Sequence, residues 1–184
     1  MTTPDKKVVY MDNNATSQVA PEVLEAMMPY LTEAYGNPSS MHTFGGKVGD
    51  AVRQARQKVA ASLGAEPEEI TFTSCGTESD SSAILSALRT YPEKRHIVTI
   101  TGHKYKVTRL KVDSEGMLDM AEYEAALSDD TAIVSVMWAN NETGVIFPVE
   151  EMAAMARQRG ILFHTDAVQA VGKIPIDLKN LNID

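Results

Sequence analysis

Apolar positions along this chain change their spacing from segment to segment, and the changes mark elements. Val8 to Met11 is a short apolar run closed by the polar turn Asp12-Asn13-Asn14. Pro21 opens a helical stretch from Glu22 to Ala34, as proline does at a first helical position, and Pro29 inside it predicts a kink or break. Gly36 to Ser40 is a loop by composition. From Phe44 to Leu63 apolar residues return at helical spacing (Val48, Ala51, Val52, Ala55, Val59), and Gly64 ends the run. Beyond it strands and helices alternate. Glu69–Thr73, His96–Ile100, Val107–Val112, Ala132–Trp138 and Ile161–His164 read as strands. Thr77–Leu88, Met120–Leu127 and Glu150–Arg159 read as helices, with Asp119 as an N-cap and Gly160 as a terminator. Such alternation predicts an α/β fold with a mainly parallel sheet and flanking helices.

Composition narrows the classes. The chain has 184 residues, 43% of them hydrophobic, enough for a sizeable core. Seventeen basic against 25 acidic residues give a net charge of −8, which argues against nucleic acid or anionic membrane as a partner. A small anion is still allowed, since local amide donors suffice to bind it. Cys75 is the one cysteine, so no intrachain disulfide forms and a reducing cytoplasm is expected. The polar start, Met1 to Lys7, has no apolar signal core, and no apolar stretch reaches membrane-spanning length. No metal ligand set is expected.

In open α/β sheets, ligands bind beyond the carboxyl ends of the strands. Three clusters lie at such ends. Ser74-Cys75-Gly76-Thr77-Glu78 stands between a strand and a helix; Gly76 lets backbone approach a ligand, and Thr77 with the first helical amides offers donors to a phosphate. Taken alone, it reads more readily as an ordinary helix start. Asn140-Asn141-Glu142-Thr143-Gly144 follows the most apolar strand and offers amides to a ligand, or is simply a turn. His164-Thr165-Asp166-Ala167-Val168-Gln169 places a carboxylate where a protonated pyridine nitrogen would satisfy it, with Gln169 in reach of a neighbouring ring oxygen; it also reads as an Asp-capped turn. Together, a phosphate seat, amides and a carboxylate converge on one phosphorylated aromatic ligand.

These motifs, in this order, resemble those of the cysteine desulfurases of the nitrogen-fixation type, within the class V aminotransferase group of pyridoxal-phosphate (PLP) enzymes. The resemblance runs almost end to end: Val9 to Thr16, Gly36 to His42, Phe72 to Asp80, Trp138 to Gly144, His164 to Gln169 and Val171 to Leu178. It implies the large domain of a fold-type-I PLP-dependent transferase over residues 15–184, with 1–14 belonging to a small domain. It implies pyridoxal 5'-phosphate as cofactor, with Gly76 and Thr77 on the phosphate, Asn141 at the ring, Asp166 on the pyridine nitrogen and Gln169 on the ring hydroxyl oxygen. Asn13 would help to hold the substrate carboxylate, and His103 would stack on the ring. The reaction implied is removal of sulfur from L-cysteine, leaving alanine and an enzyme persulfide. A homodimer and an iron–sulfur scaffold protein as sulfur acceptor are implied with it.

Three departures accompany the resemblance. The Ser-x-His-Lys motif, whose lysine holds the cofactor covalently in relatives, is absent before Asp184, so a truncated fold is expected, with an open sheet edge. The loop with the nucleophilic cysteine is absent too, and Cys75 reads as a small buried side chain. After His103 about one helix is expected to be missing relative to the family, which leaves a solvated histidine in a tight connection as the other reading. Lys104 lies in the wrong order to replace the family lysine and reads as an exposed basic turn. The chain alone is therefore expected to give no visible band with PLP and to turn over no cysteine. A selenocysteine lyase, a class V aminotransferase or a non-catalytic fragment are the competing assignments.

Overall fold

The structure is a computed structural model, and it describes residues 8–99 and 106–184. The chain divides into two compact units, Met1–Gln54 and Ala55–Asp184. In the first, α1 (Pro21–Thr32) carries Pro29 in its interior. The expected break does not occur. Only the last turn follows the proline, so the ring costs one late hydrogen bond, and the carbonyl of Pro29 itself accepts from Glu33 N at 2.9 Å. The turn after Met11 is present; Tyr10 Oη closes it by donating to the carbonyls of Asp12 (2.6 Å) and Thr16 (3.0 Å).

Helix α2 (Thr43–Leu63) carries the chain into the second unit. Gly64, with φ +68°, ends it in the left-handed region that other residues avoid. The next expected strand, Glu69–Thr73, is not one. Pro67–Glu69 forms a short 3-10 turn and the rest runs extended without a partner in the sheet. Alternation of Ile70 and Phe72 gives a strand-like face, but a strand exists only through its ladder; Phe72 stays half exposed beneath the Arg56 guanidinium, 5.2 Å from the ring centroid.

Four parallel strands form the sheet: β1 (His96–Thr99), β2 (Lys106–Arg109), β3 (Thr131–Met137) and β4 (Leu162–Asp166), in the order β2-β1-β3-β4. The expected strand Val107–Val112 stops at Arg109; Val112 instead pairs with Leu118 in an isolated antiparallel bridge. Helix α3 (Gly76–Thr90) covers one face, where Ala87 and Leu88 meet Ile97, Ile133 and Leu162. Helices α4 (Met120–Ala126) and α5 (Val149–Gln158) cover the other, packing Tyr123, Met152, Ala153 and Ala156 on Val98, Val134, Val136 and Phe163. Strand alternation sends successive side chains to opposite layers, so the core is split in two by the sheet. Asp119 caps α4 as its sequence promises, its Oδ1 accepting from Ala121 N at 2.8 Å. At the β4 edge, Asp184 covers the open groups of Phe163: its Oδ2 accepts from Phe163 N and its own N donates to Phe163 O, both at 2.9 Å.

The parallel neighbours β1 and β2 are separated by six residues, 100–105. Parallel pairing usually needs a crossover of a dozen or more residues, most often a helix. Six residues are fewer than such a crossover takes, at the place where the sequence departs from its resemblance.

His96 and Thr99 are the buried polar residues of β1, and His96 carries side-chain links. Its Nδ1 lies 2.8 Å from Thr131 Oγ1 and its Nε2 2.8 Å from Thr108 Oγ1, so one imidazole stitches β2, β1 and the start of β3. Burial, and secondarily the Lys106 ammonium, push its pKa below the ordinary histidine value, against the pull of Asp130. The unfolded chain then binds the proton more readily, so stability is complete above about pH 6.5 and declines as pH falls toward the folded value. Urea midpoints measured from pH 8 to pH 5.5 should fall, and the slope should shrink in His96→Gln. A midpoint that rises over this interval would contradict the assignment.

Candidate functional site

The site is built at the carboxyl end of the sheet, where β3 and β4 stop and α3 begins. Cys75 is the N-cap of α3, in extended conformation, and Gly76 and Thr77 are its first residues. Ser74 fixes this turn: its N–H and hydroxyl both donate to Glu78 Oε2, at 2.7 and 2.5 Å. Those bonds hold the Glu78 carboxyl below its usual value. Cys75 is exposed rather than buried. Its place at the head of the helix turns the side chain outward, toward the first-turn amides. The amide of Glu78 foremost, then the Ser74 hydroxyl, and more weakly the amide of Thr77 lower the thiol's pKa. The start of α3 therefore stabilises negative charge, as a phosphate seat must. A Cβ added at Gly76 would meet nothing within 4 Å, so the space beside that backbone is open.

Asp166 is the last residue of β4, paired across the ladder with Met137 of β3. Its carbonyl accepts from Trp138 N at 2.8 Å and its Oδ1 from Val168 N at 3.0 Å. The second bond is the Asx turn that sequence reading held as the alternative, and it fixes the carboxylate's orientation. Gln169, in the turn that follows, accepts from Lys173 Nζ through Oε1. In the loop after β3, Asn140 is consumed by the turn: its Oδ1 accepts from Glu142 N (2.8 Å) and Thr143 N (3.0 Å). Asn141 stands exposed at the tip, with Nδ2 donating to Glu142 Oε1 at 3.1 Å.

Two residues the sequence reading gave no role complete the arrangement. His164 lies two positions before Asp166 on β4, so both leave the same strand face. Its Nδ1 is 2.9 Å from Ser135 Oγ on β3, and its Nε2 is 3.5 Å from Asp80 Oδ1 on α3. Burial pushes the His164 pKa down, against the pull of the Asp80 and Asp166 carboxylates. Burial first, and then the Asp166 carboxylate, push Asp80 up, with His164 opposing. An imidazole neutral at pH 7 thus sits between two acidic groups. The signal for Asp80 was its spacing, one helical turn beyond Thr77; the signal for His164 was its parity with Asp166.

Gly76 and Thr77 open α3, Asn141 lies in the loop after β3, and Asp166 and Gln169 lie at and just after the end of β4, all within the second unit. Asn13 lies in an exposed turn of the first unit. His103 and Lys104 lie outside the described residues.

A profile of the class-V aminotransferases matches residues 9–184. The chain belongs to the aminotransferase class-V family. Cysteine desulfurase 2 of Trichormus variabilis is 59% identical over 191 aligned positions, which take in 96% of this class-V chain and 48% of the relative. Cysteine desulfurase NifS of Azotobacter vinelandii is 55% identical over 190 positions, covering 95% and 47%. The chain thus spans about half the length of the curated relatives it matches. The aligned span of 191 positions exceeds the 184 residues of this chain, so the relative holds residues that this chain lacks within the shared region. Among solved structures, a NifS-like protein superposes with a TM-score of 0.90 at 40% identity, over 96% of this chain and 53% of its own. SspA in complex with cysteine gives 0.89 at 34% identity, over 95% and 55%.

Enzymes of this family depend on pyridoxal 5'-phosphate. The donor set here fits that group. The α3 start that stabilises the Cys75 thiolate suits its phosphate, and an oriented carboxylate at the end of β4 suits its protonated ring nitrogen.

Proposed function

We propose that this protein is a PLP-dependent cysteine desulfurase, taking sulfur from L-cysteine and releasing alanine. One observation carries the reading: the anion-stabilising start of α3 and the Asp166 carboxylate stand at the same end of the sheet, in a chain more than half identical to proteins named cysteine desulfurase. Gly76 and Thr77 would hold the phosphate, Asp166 the ring N–H, Gln169 the ring hydroxyl oxygen and Asn141 the ring's edge. His103 would stack on the ring and Asn13 would receive the substrate carboxylate. The bound cofactor supplies an electron sink for the bonds at the substrate Cα. Asp166 keeps the ring nitrogen protonated and so keeps that sink deep. The turn bond from Val168 N holds the carboxylate still, and amides at the start of α3 fix the other end of the ligand.

On the same reading, residues 15–184 belong to the cofactor-binding large domain and 1–14 to a small domain. The working form is a cytoplasmic homodimer that hands sulfur to an iron–sulfur scaffold protein, as in nitrogen fixation. Support for these comes from the motif order and, for the compartment, from the single cysteine.

Trp138, the one tryptophan, is a built-in reporter, because its backbone N–H donates to the Asp166 carbonyl and so places the residue beside the end of β4. PLP absorbs in the range of indole emission, so binding should quench Trp138 in a saturable way. The deoxy analogue, which has no aldehyde, should do so too. With a thiol reductant present to cleave the enzyme persulfide, protein expressed from its native gene should release alanine and sulfide from L-cysteine in equal amounts. No saturable quenching and no alanine would end this proposal.

A further inference from the structure

The two ends of the proposed cofactor site belong to different elements. The phosphate seat is the first turn of α3; the ring-nitrogen carboxylate is the last residue of β4. A ligand that bridges them needs the gap between the elements held at one length. Backbone bonding does not do this, because a helix packed on a sheet shares no ladder with it. Apolar contacts such as Leu88 and Ala87 on Leu162 lie at the far end of α3. Near the site, a polar link is made by the imidazole of His164, with Nδ1 2.9 Å from Ser135 Oγ on β3 and Nε2 3.5 Å from Asp80 Oδ1 on α3.

We propose that Asp80 is a positioning residue: through His164 it ties the first turns of α3 to the end of β4, and so sets the distance between the phosphate seat and Asp166. The inference rests on the PLP reading above. Asp80 follows Thr77 by three residues and shares its side of the helix; His164 precedes Asp166 by two and shares its strand face. Each partner therefore sits next to one of the two groups whose spacing matters. A neutral imidazole accepts from the Ser135 hydroxyl through Nδ1 at 2.9 Å and directs its Nε2–H at Asp80 across 3.5 Å, longer than a usual hydrogen bond. The depressed pKa of His164 keeps that neutral form at physiological pH, while the carboxylates facing it, Asp80 from α3 and Asp166 from its own strand, oppose the depression. Asp80 lies one turn beyond the phosphate seat and has no ligating role in this proposal, so its loss should be felt only by a ligand that engages both ends.

That difference is the test. Affinities of the full chain for the deoxy analogue of PLP and for inorganic phosphate are measured by Trp138 quenching and calorimetry. In Asp80→Ala the analogue should bind about tenfold or more weakly, the usual scale for losing a residue that orients a ligating group. Inorganic phosphate, which needs the α3 seat alone, should bind as before. Asp80→Asn, which keeps an acceptor for Nε2–H, should restore most of the lost affinity. Its imidazole resonances offer a second measurement: with the carboxylate charge gone, His164 should titrate at lower pH than in the parent chain. Equal weakening of both ligands in Asp80→Ala, or none, would overturn the proposal, as would an unmoved His164 titration in Asp80→Asn. If the parent chain binds phosphate but not the analogue, it is the PLP reading that fails; if it binds both and the variants do too, the positioning role alone fails.

Discussion

Phe163→Ala should destabilise the second unit by about 3–5 kcal/mol, the usual cost of removing a fully buried phenylalanine ring. The ring is 1% exposed on the side of β4 that faces α5. Its surroundings have little freedom to close over a hole. Val134 and Val136 are β-branched residues of a central strand, and Met152, Ala153 and Ala156 sit fully buried on a helix with no alternative partner. A domain of this size has about 5–15 kcal/mol in all, so the loss is a large share of it. β4 is also an edge strand, held on its outer side by the Asp184 contacts to Phe163 itself. Loosening it would dislodge His164 and Asp166 with it. Urea unfolding followed through Trp138 should show the midpoint fall sharply, while Phe163→Leu should cost under about 1.5 kcal/mol because the volume is better kept. A loss below about 1 kcal/mol in the alanine variant would mean that this face of β4 is not the packed core described.

Much of this architecture was legible in the residues because the relevant physics is local. Asp119 announces α4 through a side chain that can reach its own helix amides, and Gly64 ends α2 at a φ that suits glycine. The run from Ala132 to Trp138 reads as a buried strand because both its faces are covered, and a strand in that setting shows no polar alternation. The errors came where a partner decides. Ile70 and Phe72 have strand spacing, yet no strand of the described sheet pairs with them. Cys75 looks like a small core residue until the helix start turns it outward. Asp80 and His164 each look like ordinary polar positions. Their contact depends on how α3 lies across β3 and β4, which no local pattern encodes. The α3 start and Asp166 were singled out by motif order, which supplies what spacing cannot.

Asp166→Asn should leave the fold nearly intact and remove most of the function proposed above. The asparagine keeps the size of the side chain and an oxygen able to accept from Val168 N, so the turn after β4 survives. What disappears is the negative charge. A neutral amide oxygen accepts a hydrogen bond from a protonated ring nitrogen but does not hold the proton there by charge, so the electron sink is weakened. Losing one preorganised electrostatic contact of this kind costs about 10²–10³ in turnover. In protein expressed from its native gene, alanine release from L-cysteine should fall by that factor, and Asp166→Glu should not restore it, because the carboxylate is displaced by one methylene. A cofactor-free readout accompanies this. The Asp166 charge pulls the His164 pKa up and pushes the Asp80 pKa up. Removing it should therefore lower both, His164 because its cation loses a favourable neighbour and Asp80 because its anion loses a repulsive one. Proton titrations of the two variants side by side would separate the cases. A shift at His164 with unchanged turnover would place Asp166 in the cluster but not on the ring, and unchanged values of both would remove it from the site.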